Sequence, residues 1–180
     1  PLMMPTPREF ATVMERHGVG EGTEVVLYDR GNHAWAARVW WMLRACGFEA
    51  ARVLDGGWQK WTAERRPTST TSAPRAPGTF LPRPRLELFA TKDEVRAAID
   101  SARVTLVNAL SPEEHRGTAT TRFPRKGRIA GSRNVYCQSL VDPDTKAYRQ
   151  RDELAALFDR AGALGAERTI VYCRSERAHV

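Results

Sequence analysis

Cys173 closes a short β-rich run, Thr169-Ile-Val-Tyr172, and opens the stretch Cys173-Arg-Ser-Glu-Arg-Ala-His179. The thiolate, not the thiol, is the nucleophile. A cysteine at a strand end, followed by a loop and a helix start, faces backbone N–H groups and the positive end of a helix. Arg174 and Arg177 add two guanidinium charges. All of these lower a thiol pKa. The same donors, with Ser175 between the two arginines, form a binding set for a small anionic sulfur or phosphorus substrate. Glu176 works against the thiolate, because a close carboxylate disfavours a second negative charge. Cys173 is thus the candidate nucleophile, and Arg174, Ser175 and Arg177 are the candidate substrate-binding residues. The competing reading of Cys173 is a buried cysteine that only closes a strand.

The other chemistry-bearing side chains read more blandly. Cys46 lies in an apolar helical run and reads as core, whereas Cys137 follows a turn and fits core or surface. Three cysteines without a C-x-x-C pair give neither a disulfide framework nor a zinc site, so no metal is expected. An odd thiol suits a reducing compartment, and a cytoplasmic location is expected. His33, His115 and His179 are possible acid–base partners, but isolated histidines of this kind read first as surface or loop residues. The five tryptophans read as packing residues.

The elements that must position these groups are legible. Thr6-Pro7-Arg8-Glu9, Ser111-Pro112-Glu113-Glu114 and Thr91-Lys92-Asp93-Glu94 each have the form of a capping box. In that box, side chains satisfy the orphan N–H groups of a helix start. Phe10, Val13 and Met14 follow the first at helical spacing, and Val95, Ala98 and Ile99 follow the third. Leu154, Leu157 and Phe158 mark a further helix over 152–161. Short apolar runs at 24–28, 51–54, 104–107 and 169–172 fall between the helices. Strands alternating with helices predict βαβ units, hence an α/β fold with a parallel sheet buried on both faces.

A shift of 144 residues aligns two segments without a gap. Residues 8–18 fall on 152–162, and the strand at 25–28 falls on 169–172. Glu9/Glu153, Ala11/Ala155, Arg16/Arg160, Gly18/Gly162, Tyr28/Tyr172 and Arg30/Arg174 are identical pairs. So long a period is a duplication of whole domains, not a solenoid. Asp29 stands where the second copy has Cys173. A carboxylate is a poor sulfur acceptor, so the first copy is expected to be catalytically silent. The stretch 62–84 is rich in Pro, Ser, Thr and Ala and reads as a linker. Residues 1–66 are therefore read as the later part of a first, silent domain. Residues 67–84 are the linker, and 85–180 the earlier part of a second, catalytic domain. Both copies look incomplete and both ends look cut.

Composition narrows the classes further. The chain has 180 residues, 42% of them hydrophobic and 27% charged, near a globular average. No apolar run approaches the ~18 residues of a membrane span, and no membrane partner is expected. The net charge of +7 comes from 24 Arg and 4 Lys against 21 acidic residues. The arginines are scattered, not gathered on one face with aromatics between them, so no nucleic-acid partner is expected. A diffuse positive field that attracts small anions fits better.

Several motifs resemble the tandem-domain rhodanese family, the thiosulfate and 3-mercaptopyruvate sulfurtransferases. Leu54-Asp-Gly-Gly-Trp-Gln-Lys-Trp61 resembles the motif that closes a domain in that family. Gly127-Arg-Ile-Ala-Gly-Ser-Arg-Asn-Val135 resembles its Gly-His-Ile-Pro-Gly-Ala-x-Asn-Val motif, and Ser111-Pro-Glu-Glu-His-Arg-Gly117 its Ser-Pro-Glu-Glu-Tyr-x-Gly stretch. Residues 169–174 resemble the strand and start of its active-site loop, and Asp at the cysteine position of the first domain is a family habit. The resemblance implies two rhodanese-like domains in tandem, and sulfur transfer through a Cys173 persulfide without a metal or organic cofactor. The implied partners are a small anionic sulfur donor and a thiol or cyanide acceptor. Arg174 resembles thiosulfate-preferring loops. Three positions depart from the pattern: Glu176 for a loop glycine, Asn108 for an Asp and Leu110 for an Arg. These departures support an alternative, a non-catalytic binding or regulatory module. Phosphatase chemistry needs a Cys-x5-Arg loop, and position 179 is His.

Overall fold

The computed structural model describes residues 4–120 and 124–173. The chain divides into two compact units, each with its own parallel sheet.

The first unit holds residues up to Phe89 together with Pro143–Ala147. Its elements are α1 (Pro7–Arg16), β1 (Val25–Leu27), α2 (Ala34–Ala45), β2 (Ala51–Val53) and α3 (Gly57–Ala63). Thr6 Oγ1 accepts from the Glu9 N–H (3.3 Å), while the Glu9 carboxylate accepts from the Thr6 N–H (2.8 Å), so the expected capping box starts α1. Gly18 ends it at φ 73°, and the Gly18 and Val19 N–H groups turn back to the Glu15 and Met14 carbonyls. β1 pairs in parallel with β2, Val25 opposite Ala51 and Leu27 opposite Val53. The core gathers Phe10, Ala11, Leu43, Cys46, Ala51 and Phe80.

Phe80 overturns the linker reading of 67–84. It is 4% exposed, meets Phe10 edge-on (6.1 Å) and stacks on Phe48 (5.7 Å). Its N–H donates to the Glu15 carboxylate (3.0 Å), and the Gly78 N–H donates to the Glu15 carbonyl (2.9 Å). Gly20 and Gly78 permit this approach, since a Cβ on either would lie within 2.6 Å of the facing backbone. Beyond Phe80, the Arg83 and Arg85 N–H groups bond to the Cys46 and Ala45 carbonyls, and Phe89 meets Trp41 edge-on. Composition signalled a linker, but a few specific contacts hold its last third on the first unit. The division falls at Phe89, not at 84.

The second unit comprises Ala90–Asp142 and the chain from Tyr148. Its elements are α4 (Lys92–Ala98), β3 (Val104–Asn108), α5 (Pro112–Arg116), β4 (Arg133–Asn134), α6 (Arg151–Arg160) and β5 (Arg168–Tyr172). Thr91 with Glu94, and Ser111 with Glu114, form the expected boxes on α4 and α5. The sheet order is β4-β3-β5, all parallel, with Val104 opposite Arg168 and Asn108 opposite Tyr172. Successive residues of β3 serve opposite faces. Leu106 joins Ala98 and Ile170 on one side, and Val107 joins Val135 and Ala163 on the other. The 144-residue shift carries α1 onto α6 end for end and β1 onto the middle of β5.

Candidate active site

The carboxyl ends of the parallel strands converge in the second unit. β5 ends at Tyr172, and Cys173 follows it directly, exposed. The Tyr172 carbonyl accepts the Ala109 N–H (3.0 Å), and the Ala109 carbonyl accepts the Cys137 N–H (3.1 Å). Three chain segments are thus stitched side by side beyond the strand ends, where ligands bind in open α/β sheets. None of the three cysteines forms a disulfide.

Each segment is fixed from beneath. Asn108 is fully buried, its Oδ1 accepts the Leu110 N–H (3.0 Å), and its carbonyl accepts from Asn134 Nδ2 (3.1 Å). Asn134 Nδ2 also donates to the Leu110 carbonyl (2.9 Å). Leu110 itself is buried. The two family departures at 108 and 110 therefore serve the interior of the fold. The Tyr172 hydroxyl accepts the Ile129 N–H (3.0 Å) and shares a hydrogen bond with Ser132 Oγ (2.8 Å). That clasp ties the Gly127–Ser132 turn to the residue just before Cys173. Tyr172 and Ser132 escaped the sequence reading, although the Tyr28/Tyr172 identity in the repeat pointed to the tyrosine.

Two further groups lie near the strand ends. Burial pushes the Cys137 thiol up, and the Glu114 carboxylate adds to this, so Cys137 stays a thiol at neutral pH. Burial lowers the His115 pKa, helped by Arg128 and Arg116, so its imidazole is neutral at pH 7. Cys46 is core, as expected, and burial raises its thiol pKa as well. Arg174, Ser175 and Arg177, together with Glu176 and His179, lie outside the described residues.

The first unit shows what the same strand end does with a carboxylate. Asp29 Oδ1 accepts the N–H groups of Gly31 (2.8 Å) and His33 (3.2 Å), and Oδ2 accepts those of Trp35 (3.0 Å) and Ala36 (3.1 Å). These include the orphan donors of the α2 N-terminus, the usual place for an anion. Burial pushes the Asp29 carboxyl up, but the Ala36, Gly31, His33 and Trp35 N–H groups together outweigh it and hold the carboxyl below its ordinary range. Asp29 was expected to silence this strand end as a poor sulfur acceptor. It also fills the cradle with an anion of its own. His33 departs from the surface reading: it is 2% exposed, sits at φ 65°, and its Nε2 bonds to the Lys146 carbonyl.

Residues 3–64 match the family model described as a rhodanese-like domain. The chain is also 34% identical over 177 residues to the sulfur carrier protein TtuD of Thermus thermophilus, across 92% of its own length. Residues 3–64 thus carry a rhodanese-like domain. The whole chain spans 62% of the length of TtuD. Among solved structures, the chain resembles SseA of Escherichia coli, a 3-mercaptopyruvate sulfotransferase, at 28% identity and a TM-score of 0.81. That match covers 94% of this chain and 63% of SseA. An EanB variant in complex with ergothioneine gives a TM-score of 0.82 at 25% identity, over 96% of this chain and 46% of EanB. The α/β, parallel-sheet reading of the sequence thus holds, and the fold is the rhodanese fold. Among the described residues, no helix is long and apolar enough to cross a membrane.

Proposed function

We propose that this chain is part of a sulfurtransferase that moves a sulfane sulfur from thiosulfate, or from 3-mercaptopyruvate, to a thiophilic acceptor such as cyanide or a thiol. The second domain is catalytic and the first is silent. The observation that carries this reading is the place of Cys173: exposed, one residue past β5, where the twin unit puts Asp29 under four N–H donors. A donor set that holds a carboxylate suits a thiolate, a persulfide or a sulfonate equally well.

The Cys173 thiolate attacks the outer sulfur of thiosulfate. A new S–S bond forms as the old one breaks, and sulfite leaves with the electron pair. With 3-mercaptopyruvate a C–S bond breaks instead, and the enolate of pyruvate leaves and takes up a proton. The acceptor then attacks the outer sulfur of the persulfide, and the electron pair returns to Cys173 as thiolate. The sulfur rides on the cysteine itself, so the cycle needs no metal or organic cofactor. Arg174, Ser175 and Arg177 are the proposed binding groups for the anionic donor. Exposed thiol chemistry of this kind suits a reducing, cytoplasmic setting.

Intact-mass analysis after incubation with thiosulfate tests the reading. One added sulfur on the wild type, absent in Cys173→Ser and removed by cyanide, is the expected result. One observation favours a second reading, a rhodanese fold used only for binding: Leu110 is buried and Asn108 is spent on an internal bond, so neither supplies a charge at the strand ends. A folded protein whose Cys173 gains no sulfur from either donor would decide for that second reading.

A further inference from the structure

Tyr172, the residue before the candidate nucleophile, is held at both ends. Its carbonyl accepts the Ala109 N–H (3.0 Å). Its hydroxyl accepts the Ile129 N–H (3.0 Å) and lies 2.8 Å from Ser132 Oγ. Ser132 Oγ also donates to the Ile129 carbonyl (2.8 Å). A serine hydroxyl has one proton to give. With that proton on the Ile129 carbonyl, the Tyr172 O–H donates to Ser132 Oγ. The three residues thus close a ring: Ile129 N–H to the Tyr172 hydroxyl, Tyr172 O–H to Ser132, and Ser132 O–H back to Ile129. Ser132 is 6% exposed, so a broken link leaves a buried polar group without its partner.

The ring lies on the opposite face of the sheet from the cysteine side chain. Side chains alternate along a strand. Ile170 packs with Leu106, Ala98 and Ile129, and the Tyr172 hydroxyl reaches the same turn. Val171 faces the other way, and the bond to Ala109 carries the alternation on to Cys173. Both residues are exposed. The peptide between Tyr172 and Cys173 is planar, so a fixed Tyr172 carbonyl sets the place of the Cys173 Cα. Sulfur transfer needs the attacking sulfur in line with the bond that breaks. A misplacement of ~1 Å can cost about a hundredfold in rate.

We propose that Ser132 and Tyr172 are positioning residues for Cys173. Their hydrogen-bonded ring with Ile129 fixes the end of β5, and with it the direction from which the sulfur meets its donor. The proposal rests on the reading of Cys173 as the nucleophile. Ser132 stands where the Gly-His-Ile-Pro-Gly-Ala-x-Asn-Val motif has Ala. The ring therefore depends on the pairing of Ser132 with Tyr172 and not on the turn as such.

The test compares Tyr172→Phe, Ser132→Ala and the double variant of the full chain, with Ser132→Thr, which keeps the hydroxyl, as the rescue. Circular dichroism checks folding. Tyr172→Phe keeps the aromatic ring and Ser132→Ala keeps the backbone turn, so either variant serves if the other unfolds. The maximal rate of persulfide formation from thiosulfate falls by at least about tenfold in each single variant. The half-saturating thiosulfate concentration stays within about twofold, because the ring does not touch the donor. The double variant is no slower than the slower single, since both break one ring. Ser132→Thr keeps most of the rate. Alkylation gives a reading that needs no donor. Cys173 is already exposed, so a looser strand end cannot speed its labelling by access, whereas a displaced sulfur loses the fixed groups that favour its thiolate. The ratio of Cys173 to Cys137 labelling by iodoacetamide falls by at least about threefold in each single variant. A general loosening would raise both labels together. Wild-type rates and labelling ratio in a folded single variant overturn the proposal, and so do single losses that multiply in the double variant. A wild type that gains no sulfur removes the sulfur-transfer reading instead. The labelling ratio then decides by itself, and an unchanged ratio overturns the positioning role.

Discussion

Asp29 and Cys173 stand at the end of equivalent strands, and the physics of one explains the demand on the other. Four N–H dipoles aimed at one point need an anion there, and Asp29 supplies it within hydrogen-bond reach. Its carboxyl is held below the ordinary value near 3.8. A depressed carboxylate contributes stability that is complete above the unfolded pKa and is lost as pH falls through the folded one. Asp29→Asn is therefore expected to cost about 1–2 kcal/mol at pH 7, with the gap closing below pH 4 or so as the wild-type carboxyl takes up its proton. Thermal melts across pH check it, and parallel acid limbs for the two proteins would contradict it. Identity alone did not settle such roles. Tyr28 and Tyr172 are the same residue in the same repeat, but only Tyr172 clasps a backbone N–H, because the turn that meets it belongs to its own unit. His33 looked like a loop residue and is buried, since burial depends on what packs over a residue and not on its sequence neighbours.

At the scale of elements, local rules performed well where the interactions are local. Three capping boxes were legible because a cap is completed within four residues. At the start of α6 the Glu153 carboxylate accepts the Gln150 N–H (3.0 Å), half of the same arrangement, with Gln150 in the place of Thr6. The linker failed for the converse reason. Its Pro- and Thr-rich composition describes the average of 67–84, but one phenylalanine decides where the end of it lies. Phe80→Ala should destabilise the first unit by about 3–5 kcal/mol, the cost of emptying an aromatic core site. Leu86→Ala, at 77% exposure, should stay within about 0.5 kcal/mol. Urea unfolding of both variants measures the contrast, and a near-neutral Phe80→Ala would restore the linker reading.

For the whole molecule, some of the scattered arginines pair with carboxylates at the surface, such as Arg103 with Glu167 and Arg168 with Glu94. Exposed pairs of this kind are worth little each. The thiols are a sharper whole-chain readout. Cys173 and Cys137 are both exposed, but desolvation and Glu114 raise the Cys137 thiol, and Cys46 is in the core. Iodoacetamide at neutral pH should therefore label Cys173 first, Cys137 more slowly and Cys46 only on unfolding, followed by peptide mass mapping. Labelling of Cys137 ahead of Cys173 would remove the nucleophile from its assigned place.

The sequence by itself determined the α/β class and the helix starts, and it set Asp29 against Cys173 in two aligned segments. All of these rest on period, caps and aligned residue types that are written locally along the chain. Only the tertiary structure decided that Phe80 belongs to the first core, that Asn108 and Leu110 face inward, and that Asp29 occupies an N–H cradle. Those facts depend on which strand lies beside which, and on hydrogen bonds that link residues far apart in the chain, so no window of sequence contains them.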